Sequence, residues 1–201
     1  SCYEYMFYDC INLENAPDLP ATYVYSHSYD GMFRGCKKLK VAPKLPALKM
    51  GEYCYDYMFQ GCSSLELPPQ LPATKLSTGC YDTMFMGCSK LLKAPELPAI
   101  ELSRYCYDSM FWGCTSLKES PILKAAKLEE SCYRYMFCGC TNINKITMLA
   151  TNISASYCLN GWMGNRAGAG GGVFIKHKDM NSLPTGTSGI PTGWTVVDYD
   201  E

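Results

Sequence analysis

Thirteen cysteines, two histidines and a regular series of aspartates are the residues of this 201-residue chain whose types and spacing could do chemistry. In an oxidising compartment so many thiols would suggest a disulfide framework. The spacing points elsewhere. Cys10, Cys36, Cys62, Cys88, Cys114 and Cys140 recur every 26 residues, and Cys2, Cys54, Cys80, Cys106, Cys132 and Cys158 follow a second register in which Ser28 takes the missing place. A cross-link scarcely recurs at one position of every repeat, and free cysteine packs as a small hydrophobe. Both registers are therefore expected to be buried, reduced thiols, with some disulfides as the alternative. Metal ligation is the weakest reading, because no C-x-x-C pair exists and only His27 and His177 offer imidazoles. Cys138 belongs to neither register and is expected to be the one accessible thiol.

Asp30, Asp56, Asp82 and Asp108, preceded by Glu4 and followed by Arg134, keep the same 26-residue step. Calcium needs six to eight converging oxygens, and one carboxylate per repeat does not supply them, so this column is expected to be exposed or to hydrogen-bond beside a helix. Nucleophilic catalysis needs a base within reach of a Ser or Cys. Two isolated histidines give no such pair, so no catalytic residue, cofactor or metal is expected. The position before the recurrent glycine is the most varied of the repeat, running Tyr8, Arg34, Gln60, Met86, Trp112 and Cys138. Variation of that kind predicts a solvent-facing column, and Tyr8, Arg34, Gln60, Met86 and Trp112 are the candidate partner-binding residues. Packing of Met86 and Trp112 against neighbouring loop atoms is the bland alternative.

The elements that must position these columns follow from the period. Met6-Phe7, Met32-Phe33, Met58-Phe59, Met84-Phe85, Met110-Phe111 and Met136-Phe137 are spaced by 26 residues, as are the Tyr3 to Tyr133 column and Leu13, Leu39, Leu65, Leu91 and Leu117 with Ile143 closing the row. Cys158 to Met163 reads as a decayed seventh copy. Within one copy Leu76, Cys80, Met84 and Cys88 lie four apart, which predicts one to two helical turns, stopped at Gly35, Gly61, Gly87, Gly113 and Gly139. The following C-x-x-L-x-x-A-P-x-L-P-A stretch carries paired prolines and is expected to be extended, a short parallel strand per rung. Seven rungs at about 4.8 Å give a sheet roughly 30 Å tall. After 164 the period is lost. Residues 165–201, with the Gly168 to Gly172 turn and strand-like Val173-Phe174-Ile175 and Thr195-Val196-Val197, are expected to cap the solenoid of residues 1–164. The glycine run lacks the Lys-Ser/Thr of a phosphate loop, and Leu183-Pro184-Thr185-Gly186 lacks one residue of a sortase signal; both are read as turns.

The rung C-Y-D-x-M-F-x-G-C-x-x-L-x-x-A-P-x-L-P-A resembles the BspA-like leucine-rich repeats of surface and secreted proteins of anaerobic gut and oral bacteria. The resemblance covers about residues 1–164 in six tandem copies. Gly189-Ile190-Pro191-Thr192-Gly193-Trp194-Thr195-Val196 also looks like segments that end such arrays. Leu13, Ala16 and Leu19 depart from the usual L-x-x-L-x-L strand spacing. The fold implied is an α/β solenoid, a right-handed leucine-rich-repeat-like stack of 26-residue rungs, each a short parallel strand plus a helical turn, with a small C-terminal β cap. The role implied is non-enzymatic recognition at the cell surface or in secreted form, by adhesion to a host or bacterial surface protein or glycan. A passive structural spacer in a larger surface protein is the rival.

Composition narrows the partners. Lys and Arg number 18 against 19 Asp and Glu, for a net charge of -1, so the chain lacks the positive field that nucleic acid or an anionic membrane attracts. No stretch approaches the roughly 20 apolar residues of a membrane span, and neither nucleic-acid binding nor membrane insertion is expected. A monomer is expected. The first residues, Ser1-Cys2-Tyr3-Glu4, begin inside a repeat without an initiator Met, which predicts a piece of a longer protein.

Overall fold

The computed structural model describes residues 2–164, 170–181 and 183–200. The boundary expected at 164/165, and Gly168 within the glycine run, lie outside these residues. One period of the sequence is one rung, and each rung has two sides: a turn-rich ribbon carrying C-Y-D-x-M-F-x-G-C, and an extended proline-rich side.

The ribbon corrects the expected helical turn, for no helix occurs among the described residues. In the second rung His27, Gly31 and Gly35, four residues apart, have φ of 55°, 56° and 77°, a left-handed conformation that an α-helix interior does not contain. The backbone bonds alternate. Odd-numbered residues donate to the next rung, as from Tyr29 N–H to the Cys54 carbonyl (3.0 Å), Gly31 to Asp56 (2.8 Å) and Phe33 to Met58 (3.0 Å). Even-numbered residues close overlapping turns within the rung, as from Met32 to Tyr29 (3.2 Å) and Arg34 to Gly31 (3.0 Å). The ribbon is thus a run of β-turns stacked in parallel, and its donors are satisfied without a helix. An apolar spacing of four fits this unit as well as it fits a helix, which is why the sequence pattern reads as helical.

The extended side is parallel, as expected, but sparsely paired. β1 (Tyr23–Val24) pairs with β2 (Lys49–Met50). Single bridges join Val41 to Leu67, Lys75 to Glu101 and Lys127 to Asn152. Prolines withhold the N–H groups that a longer ladder needs. Near the C-terminal end β3 (Glu119–Leu123), β4 (Lys145–Met148), β5 (Val173–Lys176) and β6 (Thr195–Asp198) form one parallel sheet in that order. The residues after 170 therefore continue the stack, with Lys145 paired to Val173 and Val173 to Thr195.

The core lies between the two sides and is built from columns. Phe7, Phe33, Phe59, Phe85, Phe111 and Phe137 stack with ring centroids 5.5–5.7 Å apart and planes within 6°. Tyr29, Tyr55, Tyr81, Tyr107 and Tyr133 stack at 5.8–6.0 Å. Met58, Cys54, Cys62 and Leu65, with their equivalents in the central rungs, fill the space between and are fully buried. Trp162 of the seventh rung ends the Phe column edge-on to Phe137 (6.1 Å), and Phe174 of β5 covers it in turn (6.1 Å).

Candidate functional site

Alternation along the ribbon decides which side chains can reach a partner. From the second rung to the sixth the Cys, Tyr, Met and Phe of C-Y-D-x-M-F-x-G-C turn inward, while in the first rung Cys2, Tyr3, Met6 and Cys10 are exposed; the residue at 34 and its equivalents stay at the surface side. Tyr8 and Trp112 are exposed, and Arg34, Gln60, Met86 and Cys138 are half-buried. The five candidate residues thus line one edge of the ribbon, one per rung, but they do not make one continuous contact.

Two clusters form along that edge. At one end the Arg34 guanidinium carbon lies 5.6 Å from the Tyr8 ring centroid and 5.4 Å from that of Tyr57, and Tyr5 meets Tyr8 edge-on at 5.8 Å. At the other, Trp112 meets Tyr135 at 5.6 Å, and Arg134 lies over Tyr135 (5.7 Å) and Tyr105 (5.5 Å). Between them the Gln60 side-chain amide donates to the Met86 sulfur (3.2 Å). Each cation–π contact at a half-exposed site contributes about 0.5–1 kcal/mol and fixes the ring that it covers. Arg134 is further held by Asp108 (Nη2 to Oδ2, 2.6 Å), and Arg104 by Glu130 (3.0 Å). The variable column alone did not reveal Tyr5, Tyr105, Arg104 or Glu130. Tyr5 and Tyr105 lie on the left-handed series of the four-residue turn unit, and a four-residue reading of the Tyr and Gly spacing would have found them; Arg104 and Glu130 lie one place before that series.

The acidic column corrects its expectation. Asp30, Asp56 and Asp108 are buried, not exposed, and Asp82 is half-buried. Burial first, then the neighbouring carboxylates Asp82 and Asp30, push the Asp56 carboxyl up to about 9, and burial pushes Asp82 up to about 7 against the lowering bond from Thr83. Among the described residues no group of three or more His, Cys, Asp or Glu could hold a metal ion. His27 and His177 each lie 3.6 Å from a carboxylate, Asp30 and Asp179.

The thiols are free, and those of both registers from Cys36 to Cys158 are buried. Cys2 and Cys10 on the first rung are exposed and Cys138 is half-buried, so Cys138 is not the sole accessible thiol. On the extended side, a bulge between Glu119 and Ile122 at Pro121 opens a groove of about 390 Å³ lined by Lys93, Glu119, Ile122, Lys124, Lys145 and Ile175. Lys145 and Glu119 pair across its floor at 3.3 Å. No helix of the described residues is long and apolar enough to cross a membrane.

Six copies of the BspA type leucine rich repeat region match residues 1–91 and 49–160. Among solved structures the T. pallidum leucine rich repeat protein TpLRR is similar at 16% identity and a TM-score of 0.37, the match covering 67% of this chain and 66% of that one. The chain therefore spans just under two thirds of that protein's length. No curated protein matches. Repeats that run from residue 1 to residue 160, with the inward Phe, Tyr and Cys columns that their consensus positions build, establish that the chain belongs to the BspA-type leucine-rich-repeat family.

Proposed function

We propose that the protein is a non-enzymatic recognition module that holds a protein or glycan partner on the ribbon edge marked by Tyr8, Arg34, Gln60, Met86 and Trp112. In this reading it acts as a monomer at the cell surface or in secreted form, as an adhesion element, with residues 165–201 covering the end of the solenoid. The carrying observation is the gathering of exposed aromatic and arginine side chains on one edge, in the two clusters around Arg34 and Arg134. Trp, Tyr and Arg dominate binding energy at protein interfaces. Their contacts with one another fix rotamers before a partner arrives, which lowers the ordering cost of association. A passive spacer has no need of such a concentration.

Screening the folded chain on glycan and surface-protein arrays, beside Trp112→Ala and Arg34→Ala variants, tests the reading. Reproducible partners are expected, and Trp112→Ala should weaken the best of them by about 2 kcal/mol, roughly 30-fold, with the melting temperature little changed. Partners that bind both variants as tightly as the parent would move the site off this edge. No reproducible partner would favour the spacer.

A further inference from the structure

The acidic column reaches the recognition edge where Asp108 holds Arg134, and its hydrogen bonding is uneven in an informative way. Consecutive members are brought side by side by the ribbon ladder, in which Tyr5 N–H donates to the Asp30 carbonyl (2.9 Å) and Gly31 N–H to that of Asp56 (2.8 Å). The residue after each aspartate decides whether Oδ1 receives a hydroxyl donor. Thr83 donates its hydroxyl to Asp82 Oδ1 (2.7 Å), and Ser109 donates to Asp108 Oδ1 (2.9 Å). Gly31 and Tyr57 occupy that place after Asp30 and Asp56 and bring no hydroxyl there, although the Tyr57 backbone bonds the Asp56 carboxyl and His27 and Tyr5 bond that of Asp30. Oδ1 of Asp30 and Oδ1 of Asp56 are buried with no hydrogen-bond partner.

The groups facing the column sharpen the contrast. Glu4, Tyr5 and His27 face Asp30; Asp30, Asp82, Asp108, Tyr53 and Tyr57 face Asp56; Asp108, Arg134 and Cys106 face Asp82. At one end the His27 ring lies 3.6 Å from Asp30, and at the other Arg134 pairs with Asp108. Asp56 in the middle has acids on both sides. A buried carboxylate with like charges beside it and one oxygen left without a donor is costly, and it is relieved by keeping its proton.

We propose that Asp56 is held as the neutral acid in the folded rungs, so that rising pH loosens the ribbon beneath Tyr8, Arg34 and Tyr57. An ordinary carboxyl in the unfolded chain titrates near ~3.9. Above that pH the folded state binds one more proton than the unfolded state, so stability falls as pH rises until the folded carboxyl itself gives up its proton. The shift of Asp56 to about 9 places neutral pH inside that window. The recognition edge then becomes more mobile on the alkaline side and more ordered in acid.

Thermal melting of the intact chain at constant ionic strength between pH 5 and 7 tests this. In that range unfolded thiols and tyrosines, near ~8.5 and ~10, keep nearly all of their protons, whereas at higher pH the buried thiols would add a fall of the same sign. The melting temperature should fall by roughly 3 °C per pH unit or more, with Asp82, pushed up to about 7, adding to the fall, and Asp56→Asn should remove about half of that slope. Tyr57→Ser, which supplies the hydroxyl that Thr83 and Ser109 supply elsewhere, should also flatten the profile without deleting the acid. The carboxyl carbon resonance of Asp56, assigned by its loss in Asp56→Asn, should stay at its acid position through pH 7. A parent melting temperature that is flat or rises from pH 5 to 7, a slope unchanged in Asp56→Asn, or an Asp56 resonance that titrates below pH 7 would each overturn the proposal.

Discussion

The first cysteine register, Cys10 to Cys140, shows how much one small residue does in a stacked fold. The Cys62 thiol donates to the Phe33 carbonyl of the previous rung at 3.1 Å, and Cys88, Cys114 and Cys140 repeat the bond to Phe59, Phe85 and Phe111. That carbonyl already accepts a turn bond from its own rung, as Phe33 does from Cys36 N–H (3.1 Å), so the thiol occupies its second lone pair and ties adjacent rungs together. Burial raises the thiol pKa, to about 12 for Cys106 and Cys140, and a protonated thiol without solvent access does not react with alkylating reagents. Titration of the native protein should therefore label about three cysteines, Cys2, Cys10 and Cys138, and denaturant should release all thirteen. Labelling of the buried registers in the native state, or fewer than thirteen after denaturation without reductant, would contradict this. At this scale the sequence was informative about apolar columns and poor about the polar one. Phe, Met, Tyr and Cys positions declare burial by their type. The aspartates look like surface residues, and nothing in their spacing says that the turn unit folds them inward.

Elements were harder to read, for a physical reason. Leu76, Cys80, Met84 and Cys88 repeat at four, the spacing of a helix face and also of the paired β-turn unit, so the pattern alone does not separate the two. The separating signal is the left-handed residue every fourth place. Gly31 and Gly35 mark it twice in one rung, and Gly79 and Gly87 mark it in another; consecutive glycines at this spacing are unfavourable inside a helix. Side chains elsewhere tolerate the conformation, since Tyr57, Thr83 and Ser109 have φ of 53–55°, at a cost of roughly 1–2 kcal/mol each. Tertiary packing must hold them there. Two glycines divide strain from collision. A Cβ on Gly87 would lie 3.7 Å from Gly61, an ordinary contact, whereas one on Gly79 would run into the Tyr53 ring that lies over it. Gly87→Ala should cost about 1–2 kcal/mol from conformation alone. Gly79→Ala should cost at least about 1 kcal/mol more, because the ring must move. Urea denaturation of both variants reads the difference, and equal costs would mean that Tyr53 is not held against the ribbon.

For the molecule as a whole, the 26-residue period sufficed to predict a parallel stack, because a unit of that size cannot bury its own apolar side and must lean on the next copy. How the stack ends was less legible, since the sequence loses the period after 164 while β5 and β6 continue the geometry. β5 pairs in parallel with β4 and β6 with β5, and the stretch around 184–190 folds over the seventh rung. Met163 N–H donates to the Thr187 carbonyl (3.3 Å), Gly161 N–H to the Ser188 hydroxyl (3.0 Å), and the Trp162 indole to the Gly189 carbonyl (2.8 Å). Ending the chain at Gly164 would remove these bonds and take Phe174 from Trp162. It would also leave the outer side of β4 unpaired. Each large side chain uncovered forfeits about 1.5–3 kcal/mol, and Trp162, Met163, Ile146 and Met148, all buried in the intact chain, lie at or next to the new end. An unpaired strand edge beside an exposed apolar patch is a template for association. The shortened chain should therefore aggregate, or remain monomeric with a melting temperature at least about 10 °C lower, given that 1 kcal/mol shifts a domain of this size by about 2–4 °C. Light scattering after size-exclusion chromatography, with a thermal melt beside it, distinguishes these outcomes. A monomer as stable as the parent would show that the solenoid closes on its seventh rung alone and that residues 165–201 serve something other than cover.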